Sequence, residues 1–219
     1  MEHITKHVDL LFADVRTAHR LIFEYQKRVL DLIFYIKGKF NFSKRIGGYK
    51  RFSYPISKIR EYSNEYPEAN LNIFNSMWAW DFLYSYMMEF YFGEITKNKH
   101  AYCMSIIEIS DTGYYSSRQP NKDKQDIQTF ANIDDSDTLL IFVFELTVNN
   151  EYKFWDTSCE KINEWILSTN TYFKHGNKND AFLIMKVPLR RLINKNGVDI
   201  VISEFNNFVK EATGIDLMG

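Results

Sequence analysis

Three ionisable residues interrupt three otherwise apolar runs of the 219-residue chain: Glu108 in YCMSIIEIS (102–110), Glu145 in TLLIFVFELTV (138–148) and Lys186 in AFLIMKV (181–187). If the three runs are adjacent strands, two carboxylates and an ammonium could converge. Carboxylates hold a divalent cation and a lysine stabilises developing negative charge, which is the chemistry of metal-dependent phosphodiester cleavage. The nuclease pattern built on such groups wants the second acid and the lysine two residues apart on one strand. Glu145 is followed by Leu146 and Thr147, and Glu151-Tyr152-Lys153 falls past the run in a turn. The plainer reading, acids and a lysine at solvated edges or in structural pairs, is therefore the stronger one.

The segment 37–60 holds eight basic residues and no acid, which leaves nineteen basic against twenty-eight acidic residues elsewhere. Lys44, Arg45, Lys50 and Arg51 surround Gly47-Gly48, interleaved with Phe40, Phe42, Tyr49, Phe52 and Tyr54. Such a loop suits phosphates and unpaired bases, because ammonium and guanidinium groups contact phosphate while aromatic faces stack on bases. On a net-acidic chain the same patch also suits an acidic surface of a partner or of a second copy. A connector whose aromatics return to the core is the structural alternative.

Several smaller signals carry less. Asp111-Thr112-Gly113 spells the tripeptide that presents the carboxylate dyad of aspartic proteases, but it occurs once and precedes Tyr114, so a strand-end turn is expected. His3 and His7 stand one helical turn apart without a third ligand in sequence, and Asp134, Asp135 and Asp137 read as solvated turn residues. His19 follows Arg16 too closely for the arginine–histidine spacing of helical-bundle RNases. Cys103 and Cys159 lack a nucleophile turn and make no disulfide framework. No phosphate-binding glycine loop, dinucleotide fingerprint or paired-cysteine zinc motif occurs, so no metal and no cofactor are expected.

The elements that must position these groups begin with a helix from about residue 4 to 39, ending near Gly38. Its apolar residues recur at alternating four- and three-residue steps: Ile4, Val8, Leu11, Val15, Ala18, Ile22, Tyr25, Val29, Leu32 and Ile36. That is the period of a helix-packing seam. Phe12, Phe23, Leu30, Phe34 and Tyr35 widen the stripe toward the C-terminal half. Residues 71–92 are rich in aromatics, and Trp78 to Tyr86 alternate as a strand would. The four-step spacing of Asp81, Ser85 and Glu89 favours a second long helix, ended by Gly93. Strands follow at 102–110, 138–148 and 181–187, with a long polar connection at 116–137. A helix begins near the capping box at Thr157, a loop covers 175–180, Pro188 opens a short helical turn, and a last helix at 199–212 is capped by Gly214.

The expected fold is α+β. Two long helices form an N-terminal layer, packed with a small mixed sheet of about three strands and C-terminal helices. Residues 1–95 make the helical half and 96–219 the small α+β half of one compact unit. Hydrophobic residues are 45% and aromatic residues 16% of the chain, ample for a core. The longest uncharged run, 69–80, is too short for a membrane span, and the start lacks a signal pattern. The Lys-, Asn-, Ile-, Phe- and Tyr-rich composition resembles that of proteins from AT-rich bacteria.

These features together predict a non-catalytic cytoplasmic interaction or adaptor protein. It would engage a protein partner or a second copy through the narrow seam Ile4, Val8, Leu11 and Val15 and through the basic loop Lys44, Arg45, Lys50 and Arg51. The alternative is a nucleic-acid-binding protein or metal-dependent nuclease of a bacterial defence or toxin system, with Glu108, Glu145 and Lys186 as its chemistry. A small-molecule pocket walled by Trp78, Trp80 and Tyr84 is the third.

Overall fold

The structure is a computed structural model that describes residues 2–40, 42, 87–97, 100–116, 130–148 and 164–218. Helix α1 spans Glu2–Lys37. It is followed by strands β1 (Met87–Lys97) and β2 (His100–Ile109), the short helix α2 (Thr112–Ser116) and strand β3 (Leu139–Val148). Then come β4 (Tyr172–Gly176), β5 (Ala181–Pro188) and helix α3 (Lys195–Thr213), with 3-10 turns at Ile133–Asp135 and Leu189–Leu192. Residues 164–167 are helical.

The α+β class stands, but the sheet is larger than expected and is not mixed. Five strands pair in the order β1-β2-β3-β5-β4, and every neighbouring pair is antiparallel. The three runs that carry Glu108, Glu145 and Lys186 are the three central strands. Because β3 is covered on both faces, its sequence reads as one apolar stretch without alternation.

The expected second long helix is corrected where it is described: residues 87–92 belong to β1. Met88, Phe90 and Phe92 are buried on one face, while Glu89 faces the other way and accepts a hydrogen bond from Ser105 Oγ at 2.5 Å. The four-step acid stripe that suggested a helix thus ends in a buried strand residue. Gly93 does not cap a helix. It sits at φ 106°, where the register between β1 and β2 shifts across Tyr91 and Gly93, so Phe92 is the extra residue of a β-bulge. The remaining expected helical residues, 71–86, lie outside the described residues.

Strand β4 is a second addition. It is an edge strand, mostly exposed, and its polar sequence carries no apolar alternation to read. Part of the loop expected at 175–180 is therefore strand. Its tight return to β5 depends on Gly176, at φ 89°. A Cβ there would fall 1.9 Å from the Asp180 carbonyl oxygen. Asn177 Oδ1 completes the turn by accepting from the amides of Asn179 and Asp180 at 2.8 and 3.2 Å.

The main core lies between one sheet face and the two long helices. Phe90, Ile106, Phe142, Phe144, Leu183 and Met185 pack against Val29, Ile33 and Ile36 of α1 and against Val201, Ile202, Phe205 and Val209 of α3. The helices are joined where Tyr35 Oη donates to Asp199 Oδ1 at 2.7 Å. That bond, with Lys39 3.5 Å away, holds the Asp199 carboxyl below its ordinary range. The opposite sheet face forms a second core of Ile107, Ile141, Val143, Phe182 and Ile184 under Tyr115, Trp165, Ile166 and Phe173.

Helix α3 starts earlier than expected because Asn194 caps it, accepting from the Gly197 amide at 2.9 Å. Gly197 lowers the helix propensity of this turn, yet a Cβ there would fall 2.3 Å from the Arg191 carbonyl oxygen. The expected C-terminal cap is present, with Gly214 in the left-handed region at φ 83°. Pro188 precedes the 3-10 turn Leu189–Leu192 as expected.

Candidate functional site

The three ionisable strand residues do not meet. Glu108 pairs across the ladder with Leu140, and Leu140 with Val187, which puts Glu108 on the helix-covered face. Glu145 pairs with Cys103 and Phe182, and Lys186 with Ile141, on the opposite face. Glu145 and Ile141 lie four residues apart on β3, a rise of about 13 Å. A cation bound by Glu108 could not be shared with Glu145 through the sheet. Among the described residues there is no group of three or more His, Cys, Asp and Glu side chains able to hold a metal ion.

Glu108 instead occupies the junction where α1 crosses β1 and β2. Tyr25 Oη and Ser110 Oγ, at 2.8 Å, both donate to its Oε1. The residue is only 3% exposed. Burial raises the carboxyl pKa, and the two donated hydrogen bonds oppose the shift without cancelling it. The Tyr25 hydroxyl is pushed upward as well, first by burial and then by the carboxylate beside it. Gln26, from the next position on α1, lines a cavity of about 10 Å³ together with Val29, Leu30, Met88, Phe90 and Glu108. Its buried Oε1 has no hydrogen-bond donor, and Glu108 is the one acid among the residues lining this cavity. Sequence reading singled out Glu108 but missed Tyr25, Gln26 and Ser110 as its setting. The available signal was a tyrosine on the apolar seam, whose hydroxyl must find a partner once buried.

Lys186 faces a polar cleft of about 350 Å³ at the sheet end, lined among others by Thr112, Asp135, Asp137, Ser168, Thr169 and Thr171. Its Nζ donates to the Ser168 carbonyl oxygen, and burial lowers its pKa. The Asp137 carboxylate is held 2.6 Å from Arg190, and its amide donates to Thr112 Oγ1 at 2.8 Å. Asp111 Oδ1 accepts from the Gly113 amide at 2.7 Å, so the Asp-Thr-Gly tripeptide, expected as a strand-end turn, is instead the capped start of helix α2. The cleft brings the Lys186 ammonium together with several hydroxyls and the carboxylates of Asp135 and Asp137, the latter engaged by Arg190.

The basic residues Lys44, Arg45, Lys50 and Arg51 lie outside the described residues, as do Trp78, Trp80, Tyr84 and Cys159. At the start of that segment the aromatics turn inward. Phe40 meets Phe205 at 6.2 Å between centroids and Phe42 meets Tyr102 at 5.8 Å. Cys103 is buried.

Several exposed apolar side chains among the described residues are on α1. Leu11 is 57% exposed, Phe12 54%, Val15 46% and Leu21 67%, whereas Val29, Ile33 and Ile36 on the same helix are buried. Positions 4 and 8 of the expected interface lie on the same continuous helix. Phe12, part of the widened stripe, and Leu21 are also exposed, on opposite flanks of the helix. The PM0109 family model matches residues 5–214. The chain belongs to the PM0109 family. The match runs from the first turns of α1 to the Gly214 cap of α3 and takes in every strand of the sheet. No curated protein and no solved structure matches the chain.

Proposed function

We propose that this PM0109-family chain is a non-catalytic interaction protein whose working surface is the N-terminal half of α1. The observation that carries the reading is the change in burial along one seam. The 4-3 positions from Tyr25 onward pack on the sheet, while Leu11, Val15 and Ala18 at the same spacing face water. A soluble chain leaves a contiguous apolar helix face open at a cost, and such faces mark association sites. No helix among the described residues is long and apolar enough to cross a membrane, which removes the simplest other use of an exposed apolar helix. The basic loop would add charge attraction to an acidic partner surface. The phosphodiester reading is not carried further, because its three side chains stand on two faces of the sheet.

The test compares wild type with the double variant Leu11→Glu, Val15→Glu. These positions carry little packing within the chain, so the variant is expected to keep its circular dichroism and melting temperature. It should lose the protein that wild type retains, identified by mass spectrometry, or lose self-association. A wild-type chain that stays monomeric at high micromolar concentration and retains nothing that the variant releases would end the proposal.

A further inference from the structure

The polar cleft at the sheet end is built beside a lysine that is held at both ends. On β5, Lys186 stands opposite Ile141, and its backbone amide donates to the Thr171 carbonyl oxygen at 2.8 Å. Its Nζ donates to the Ser168 carbonyl oxygen. The segment 168–171 therefore fixes both the backbone and the tip of this side chain. Only 8% of the residue is exposed. An ammonium has three N–H donors, and among the described residues the Ser168 carbonyl is the one acceptor that Nζ meets. No carboxylate among the described residues forms an ion pair with it, burial being the one cause of its lowered pKa. Asp137, on the same wall, is engaged by Arg190 at 2.6 Å. Buried charges are ordinarily matched by an opposite charge. The cleft of about 350 Å³ that Lys186 lines is where such a charge can enter.

We propose that this cleft binds a small organic monocarboxylate, with the carboxylate seated at Lys186 Nζ. The charges on the wall select that class. A single ammonium matches one negative charge, whereas the second charge of a phosphate monoester would meet Asp135 and Asp137, which also line the cleft. Leu139, Ile166 and Pro188 supply apolar lining for a hydrocarbon body. The volume is at the small end of ligand clefts, which fits a compact acid rather than a segment of chain. Thr112, Thr169 and Thr171 place hydroxyls on the wall, able to donate to or accept from a polar substituent. A carboxylate at Nζ also opposes the effect of burial on Lys186, because a neighbouring opposite charge favours the charged form. Lys186 lies on the sheet face opposite the one that α1 covers, so the site goes beyond the interaction reading and stands or falls independently of it.

Benzoate, benzamide and phenyl phosphate share one ring and differ in headgroup. In ligand-detected NMR titrations of the full chain, benzoate should bind at least about tenfold more tightly than benzamide, the difference made by a hydrogen bond between charged groups. It should also bind more tightly than phenyl phosphate. Lys186→Met keeps an unbranched apolar stem and should retain the wild-type circular dichroism while losing at least about tenfold in benzoate affinity. Acetylation of the wild-type chain by an N-hydroxysuccinimide ester, read by mass spectrometry, decides the matter if that variant does not fold. Benzoate should slow modification of Lys186 and leave the exposed Lys174 and Lys178 unchanged. Equal binding of benzoate and benzamide, tighter binding of phenyl phosphate, or acetylation of Lys186 at the same rate with and without benzoate would each overturn the proposal. So would the absence of benzoate binding up to about 10 mM.

Discussion

Phe205→Ala is expected to lower the free energy of unfolding by about 3–5 kcal/mol, the usual cost of removing a buried aromatic ring. Phe205 is fully buried. It stands where three parts of the chain meet, 5.2 Å from the Phe142 ring on β3 and 6.2 Å from Phe40, just past the end of α1. Removing it leaves a cavity bounded by α3, the central strand and the chain leaving α1. None of these can close inward, since the sheet is fixed by ladders on both sides of β3. The melting temperature should fall by roughly 10 °C for a chain of this size, and chemical unfolding should show a lower midpoint. Phe208, half-buried against Tyr172 at 5.1 Å on the rim of the same helix, is the control. Phe208→Ala should cost clearly less, and equal losses would contradict the core described here.

Glu108→Gln is expected to change how stability depends on pH. The folded carboxyl titrates above its ordinary value of 4.5 because it is buried. Between that value and the raised folded value, the unfolded chain has released the proton while the folded chain still holds it. The folded state binds more protons, so stability falls as pH rises through this window, by up to about 1.4 kcal/mol per pH unit for one group. It is greatest below the unfolded value and is lost above the folded one. Glutamine keeps the shape and cannot ionise, so the variant should lose this slope and gain stability relative to wild type on the alkaline side. A wild-type profile that rises through the same window would contradict the assignment. Tyr25→Phe is the companion change. It removes one donor from a buried acceptor, at about 1–3 kcal/mol, and should raise the Glu108 pKa further.

What was legible in the sequence followed how much each element depends on its own residues. The runs at 102–110, 138–148 and 181–187 read as strands because central strands buried on both faces need continuous β-branched and aromatic side chains. The seam of α1 and the Gly214 cap were likewise written locally. Strand β1 was misread because Met88, Phe90 and Phe92 satisfy period two while Asp81, Ser85 and Glu89 satisfy a helical step. The tie was broken by strand pairing, since β1 completes a ladder with β2. Strand β4 had no pattern because an exposed edge needs none, and the start of α3 was hidden by Gly197. The Glu108 setting joins residues 83 positions apart. The sequence could flag an acid in an apolar strand, but only the crossing of α1 over β1 and β2 shows that its partner is Tyr25. The separation of Glu108 from Glu145 is set by the register of β2 against β3, which residue parity along either strand alone does not give.

The central place of β3 also sets a gradient of local opening across the molecule. Its residues from Leu139 to Leu146 are buried, with partners on both sides, so its amide protons can exchange with solvent only when the whole sheet opens. The N-terminal half of α1 has no such protection and opens by fraying alone. Deuterium uptake should therefore be slowest in β3 and fastest in the first turns of α1.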